Sequence, residues 1–200
     1  MKSTFSAAVV VALLAMSAVA AGADVERAKQ IVAGKCFMCH GMDGESASRS
    51  YPRLAGQHSE YVAKQLADFK SGRRKGDTMN DMVTDLTPED MKALAAYFEA
   101  KKIGPQKVDD PDLAAVGRYI FLKGNQYSQI PACASCHGEK GLGTPQLPRL
   151  AGQQASYTAS QLKLFNNRDR NNDNAVMHSI ASKLTELEMK AVAEYISGLD

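Results

Sequence analysis

The sequence predicts an all-α fold made of two tandem domains of one architecture. Three observations carry that expectation. The chain repeats itself at an offset of 96 to 98 residues, its apolar residues recur at helical spacing, and no stretch alternates apolar and polar residues as a half-buried strand would. Cys36-Phe37-Met38-Cys39-His40 returns as Cys133-Ala134-Ser135-Cys136-His137. Pro52-Arg53-Leu54-Ala55-Gly56-Gln57 returns as Pro148-Arg149-Leu150-Ala151-Gly152-Gln153. Tyr61, Gln65, Leu66 and Phe69 recur as Tyr157, Gln161, Leu162 and Phe165, and Leu86-Thr87 and Met91-Lys92-Ala93 recur as Leu184-Thr185 and Met189-Lys190-Ala191. Because the order is conserved between the halves, a duplicated domain is the economical reading.

The elements follow in chain order. Residues 1–23 read as a secretory signal peptide: Lys2, an uncharged run from Phe5 to Ala20, then the small residues Ala21-Gly22-Ala23 before charge begins at Asp24. That run is shorter than the ~20 residues needed to span a bilayer. A first helix is expected with Val25, Ala28, Ile31 and Val32 on one face, matched by Leu113, Val116 and Ile120. A middle helix follows the Ala-Gly-Gln turn, with Val62, Leu66 and Phe69 facing one way. The last helix starts at Thr87 as N-cap, with Pro88 at the first position and Asp90 three residues on. Thr185 and Glu188 form a capping box at its counterpart. Met91, Leu94 and Phe98, then Met189, Val192 and Ile196, give its buried face. The segment Lys101 to Pro111 is rich in Gly, Pro and charge, so the domains are expected at 24–104 and 112–200 with 105–111 as linker. Gly124 to Pro131 has no equivalent in the first half.

Composition excludes several classes. The 24 basic and 22 acidic residues give a net charge of +2, against the basic stripe of a nucleic-acid binder. Four cysteines are too few for a disulfide scaffold of 200 residues. All four fall in the two C-x-x-C-H segments, the attachment pattern of haem c. Two thiols three residues apart can form thioethers to the two vinyl groups of one porphyrin, and the adjacent His then lies under the iron. A zinc ribbon would need a fourth ligand from elsewhere in each half. A thioredoxin-like motif would need a βαβ context that is missing. Small helical halves with Ala-rich faces also gain from a cofactor that completes the core. Two covalent haem c groups are therefore expected, on Cys36 with Cys39 and on Cys133 with Cys136, with His40 and His137 as axial ligands.

The sixth ligand decides the chemistry. An open iron binds small ligands, whereas a His/Met iron is closed and suited to electron transfer. Aligning on Leu86-Thr87 and Leu184-Thr185 maps Met79 onto Met177, Met82 onto Ile180 and Met91 onto Met189. Met79 and Met177 are the expected ligands. Met91 and Met189 lie on the core face of the last helix. Met82 is the runner-up in the first half, and His178, aligned with Asn80, is the competitor in the second. Met38 and Met42 flank the attachment site without Met counterparts. His58 aligns with Gln154 and reads as a surface residue.

The doubled C-x-x-C-H, the doubled P-R-L-A-G-Q and the doubled Met-to-terminal-helix segment resemble the dihaem cytochrome c4 family over essentially the whole mature chain. The resemblance implies two cytochrome c-like domains related by pseudo-twofold symmetry. It implies periplasmic electron transfer in a bacterial respiratory chain, between partners such as a cytochrome bc complex and a terminal cytochrome oxidase, with loose association with the membrane surface. It also implies that Pro52 and Pro148 offer carbonyls to the ring N–H of His40 and His137. A small residue should meet an aromatic where the first and last helices cross, as Ala28 with Tyr97 and Gly117 with Tyr195, although Ala28 stands where the family fold usually has Gly. Arg53 and Arg149 could pair with haem propionates, and Arg73-Arg74-Lys75 is a candidate docking patch. The alternatives are a subunit of a larger dehydrogenase, or a dihaem enzyme such as a peroxidase or a sulfur-compound oxidoreductase.

Overall fold

The computed structural model describes residues 24–46 and 48–200, so the expected signal peptide lies outside the described residues. Among the described residues the chain is helical, and the only β-type pairing is an isolated bridge between Asn125 and Ile130. In the first half, α1 runs over 24–40: a helix over 24–31, a π-helical turn Val32–Cys36 and a last turn Phe37–His40. It is followed by α2 (Ser59–Lys70), α3 (Met79–Met82) and α4 (Pro88–Glu99). In the second half, α5 (Pro111–Lys123), α6 (Ala134–His137), α7 (Ala155–Asn166), α8 (Val176–Ala181) and α9 (Glu186–Ser197) repeat that order.

Each half has its own core. Ala28, Ile31 and Val32 of α1 pack with Phe69 of α2 and with Met91, Leu94, Tyr97 and Phe98 of α4. Ile120 and Phe121 of α5 pack with Leu162 and Phe165 of α7 and with Met189, Val192 and Ile196 of α9. Both last helices begin with a reciprocal capping box, Thr87 with Asp90 and Thr185 with Glu188. In each half the Ala-Gly-Gln turn docks on the end of the last helix, through Gly56 N–H to Phe98 O at 2.8 Å and Gly152 N–H to Ile196 O at 3.1 Å.

Two expectations about faces need correction. Val25, in the first turn of α1, is exposed. Val116 is also exposed, and the buried face of α5 is instead Ala114, Gly117, Ile120 and Phe121. The rotation follows from close approach. A Cβ on Gly117 would sit 1.9 Å from the Ala191 carbonyl oxygen, so the helix turns its smallest residue towards α9. Phe121 and Tyr195 flank that crossing with ring centroids 5.4 Å apart. In the first half a buried Ala28 fills the equivalent place.

The halves also reach their cysteines by different routes. The first runs α1 straight into the attachment segment through the π-helical turn, which adds one residue to the helix without ending it. The second stops at Gly124 (φ +73°) and inserts a hairpin in which Asn125 and Ile130 exchange backbone hydrogen bonds, both 2.9 Å. The hairpin is pinned by Asn125 Nδ2 donating to Glu188 Oε1 at 2.8 Å and by Lys183 Nζ donating to Gln129 O at 3.0 Å. Gly124 to Pro131 thus lies against the start of α9 and the segment before it. Glu188 is the counterpart of Asp90, which in the first half is held by Arg27 at 2.8 Å. The hairpin supplies the partner that α1 supplies in the other half.

The Arg27 hydrogen bond holds the Asp90 carboxyl below its usual value, and the Thr87 bonds add to it. A lowered carboxyl stabilises the fold above its unfolded value of about 3.9 and loses that contribution as pH falls through the lowered one. Asp90→Asn is therefore expected to flatten the acid side of the stability–pH curve below about pH 4, measured by urea unfolding across pH. Gly117→Ala should cost about 3 kcal/mol or more, because backbone must move to admit the methyl group, and a calorimetric melt will register it.

Candidate functional site

The first attachment segment closes the end of α1. Gly41 (φ +75°) stops the helix and turns the chain back towards Pro52. His40 is buried, and its Nδ1 lies 2.9 Å from the Pro52 carbonyl. A carbonyl can only accept, so Nδ1 carries the proton and Nε2 keeps its lone pair. The second half repeats this with His137 Nδ1 3.2 Å from the Pro148 carbonyl and Gly138 (φ +78°) at the turn. Burial pushes both imidazoles below their ordinary value, against the opposing pull of the proline carbonyl. Both are thus neutral donors at neutral pH. All four cysteines are free of disulfides, and burial pushes the Cys36 and Cys133 thiols up to about 11.

The methionines separate by environment. Met79, with Cys36, Leu54 and Leu66, is half-buried against the first core. Met177, with Cys133, Leu150 and Ile180, is half-buried against the second. Met91 and Met189 are core residues, whereas Met38, Met42 and Met82 are exposed. Both ring nitrogens of His178 are engaged: Nδ1 donates to Phe165 O at 3.0 Å and Nε2 accepts from Arg168 Nε at 3.0 Å. Each half therefore gathers two thiols, an imidazole with a free Nε2, a thioether and incompletely covered apolar side chains. That donor set fits an iron porphyrin attached through thioethers.

The halves meet through the same residues used twice. Gln57 donates Nε2–H to the Arg149 carbonyl at 2.8 Å and accepts the Arg149 N–H at 2.8 Å. Gln153 does the same to Arg53, at 2.9 Å and 2.8 Å. Beside these clamps lie two buried guanidiniums, each stacked 4.5 Å over the phenylalanine of its own half, Arg74 on Phe69 and Arg170 on Phe165. Arg74 donates to Gln65 at 2.8 Å and, across the interface, to Tyr157 and Gln161 at 3.0 Å. Arg170 donates to Gln161 at 2.8 Å and, across the interface, to Tyr61 at 2.8 Å and Gln65 at 3.2 Å. Burial pushes the Tyr157 phenol up, but the two guanidiniums outweigh it and hold the phenol below its usual value.

Arg74 is consequently no part of a docking patch. It is buried in the interface, and its neighbour Arg73 pairs with the buried Asp68 at 2.8 Å. His58 is likewise half-buried, with Nε2 2.8 Å from Leu142 O of the other half. Arg53 reaches across too, donating Nη1–H to Gly152 O at 2.6 Å, and it also donates to Gly104 O of its own half at 2.7 Å. Its Nε is buried without a partner.

The comparisons with known proteins agree with this geometry. The cytochrome c family model matches residues 25–102 and again 114–200. A cytochrome c4 of Pseudomonas aeruginosa is 38% identical over 190 residues, covering 93% of this chain and 94% of the relative. The chain belongs to the dihaem cytochrome c4 family. The crystal structure of reduced recombinant cytochrome c4 from Pseudomonas stutzeri superposes with a TM-score of 0.82 at 37% identity, over 88% of this chain and 98% of that one. A thiosulfate dehydrogenase electron acceptor of Stutzerimonas stutzeri is 38% identical over 176 residues, covering 82% of this chain and 78% of the relative. As a cytochrome c4 with two tandem cytochrome c domains, the protein carries two covalently bound haem c groups and is an electron-transfer protein.

Sequence reasoning missed the interface of this cytochrome c4. The signal was present: Tyr61, Gln65 and Arg74 recur as Tyr157, Gln161 and Arg170, all at offset 96. Polar residues repeated outside the cofactor motif mark a second buried surface. Gln57→Ala leaves a buried N–H and a buried carbonyl of Arg149 unpaired, at a cost of about 2 kcal/mol. In the calorimetry of the haem-loaded protein, the half-domains are then expected to melt further apart in temperature than in the parent.

Proposed function

We propose that the chain, after removal of residues 1–23, acts in the periplasm as a dihaem electron carrier whose two irons are both His/Met-ligated. In this reading the domains 24–104 and 112–200, joined by 105–111, hold one haem c each. Cys36 and Cys39 tether the first, with His40 and Met79 as axial ligands. Cys133 and Cys136 tether the second, with His137 and Met177. The observation that best supports the reading is the duplicated donor set, in which each histidine is fixed by a proline carbonyl while a half-buried methionine packs against the same core.

When bound, each haem supplies a one-electron ferrous–ferric couple. The protein does the rest. The Pro52 and Pro148 carbonyls fix the tautomer and orientation of their histidines and make Nε2 a stronger donor. The thioethers of Met79 and Met177 would bind the irons, keep small ligands off them and raise their potentials. The unpartnered Nε–H of Arg53 is a donor suited to a propionate carboxylate, whereas Arg149 Nε already donates to Ala151 O at 3.3 Å and would meet a propionate only through its terminal nitrogens. The Gln57 and Gln153 clamps hold the halves in one mutual placement, so the distance an electron travels between them is set by a rigid scaffold.

Electrons are proposed to arrive from a cytochrome bc complex and to leave to a terminal cytochrome oxidase, with the protein loosely held at the membrane surface. The likeness to a thiosulfate dehydrogenase electron acceptor favours a second reading, in which a thiosulfate-oxidising enzyme is the donor.

Ferric His/Met haem has a weak band at about 695 nm, a property of the iron–sulfur bond. Met79→Ala and Met177→Ala should each remove about half of it and lower the potential of one haem, and the double variant should remove it all. High-spin iron in the resting parent protein would sink the carrier reading. For the partner, the reduced protein is mixed with membranes containing a terminal oxidase, and the oxidised protein with thiosulfate and a thiosulfate dehydrogenase. Rapid oxidation by the membranes is expected. Reduction in the thiosulfate mixture without oxidation by the membranes favours the second reading.

A further inference from the structure

The residue after each candidate methionine makes bonds out of proportion to its size. Asn80 donates Nδ2–H to Phe69 O at 2.5 Å and Arg74 O at 3.1 Å, and its Oδ1 accepts the Gly76 N–H at 2.7 Å. One amide thereby ties the turn that starts at Met79 to the end of α2 and to the loop whose Arg74 side chain crosses to the other half. In the second half His178 takes the same place. Its Nδ1–H donates to Phe165 O, the counterpart of Phe69 O, at 3.0 Å. Its other nitrogen is held by Arg168 rather than by backbone of the Arg170 loop.

The methionine segments depend on this anchor for a backbone reason. Helix α3 has only four residues and α8 only six, too short to hold themselves. Asn174 (φ +57°) and Ala175 (φ +64°) stand just before Met177 in the left-handed region, where non-glycine residues are strained. A strained run ahead of a short helix relaxes unless something downstream holds it. Besides His178, the hold among the described residues includes the Met177 N–H to Asp173 Oδ2 bond at 2.5 Å.

We propose that Asn80 and His178 are positioning residues that seat Met79 and Met177 against the middle helix of each half. The two seats reach the domain interface by different routes. Met79 is tied through Asn80 to the Arg74 loop, whereas the Met177 segment is tied through Asp173, whose neighbour Asn172 bonds Gln65, Asp68 and Lys64 of the other half. This proposal rests on the His/Met ligation reading above.

The test uses the haem-loaded protein, and its readouts are the band at about 695 nm and the potential of each haem. Asn80→Asp keeps the acceptor for Gly76 but removes both donors, and His178→Ala removes the anchor in the second half. Each is expected to lose its half of the band reversibly on warming, well below the temperature at which helical dichroism is lost. His178→Asn should restore the band, because Asn does that work in the first half. Asn80→Asp and His178→Ala variants that both keep the full band up to global unfolding overturn the proposal. So does an equal failure of His178→Asn and His178→Ala. Met79→Ala and Met177→Ala run alongside: if they leave the band intact, the ligation reading itself has failed and takes this one with it. If they abolish it while the anchor variants change nothing, only the positioning role falls.

Discussion

The hydrogen bond from each histidine ring to a proline carbonyl is the constraint around which both halves are arranged. It fixes which nitrogen carries the proton, so the other is always presented in one direction. For the bond to form, the helix bearing the histidine must end at once and the chain must double back. Gly41 and Gly138 permit that with backbone angles that a side chain would resist. The returning chain then continues into the Ala-Gly-Gln turn, which docks on the end of the last helix and presents Gln57 or Gln153 to the other half. A short path of covalent geometry thus links the histidine ring to the domain interface.

On this shared frame the halves have diverged in their supports. A guanidinium on the first helix and an amide on an inserted hairpin hold the same acidic position of the last helix. An amide and an imidazole hold the same carbonyl at the end of the middle helix. An alanine and a glycine occupy the same place where the first and last helices cross. In each case the contact to be made is constant while the group that makes it has changed. Two sites with one donor set can in this way sit in unlike surroundings, and surroundings tune a haem potential alongside the ligands.

How much of this was legible depended on whether a feature is local. The attachment segments, the paired prolines and the start of the last helix are encoded within a few residues, and the sequence motifs locate them. The capping boxes at Thr87 and Thr185 formed as their spacing predicts. Non-local features were harder. Val116 fits the periodicity of a buried face, yet the face is chosen by how closely α9 approaches Gly117, which no single helix records. Arg74 sits in a basic run and reads as surface. It is buried because Gln65, Tyr157, Gln161 and Phe69 converge on it from two domains. Polar residues that are buried against another copy of the same fold resemble solvent-exposed ones until the copies are compared. Ligand assignment lies between these extremes: alignment of the halves singles out Met79 and Met177, and their half-buried settings against the cores are what the alignment could not supply.

The interface has one further implication. Gln57 grips Arg149 as Gln153 grips Arg53, and Arg74 reaches Tyr157 as Arg170 reaches Tyr61. This is the reciprocity of an isologous dimer, in which one patch serves as both surfaces. A single domain with these residues would possess a complete self-complementary face. Covalent linkage of the two copies makes their association independent of concentration and lets each copy differ from its twin.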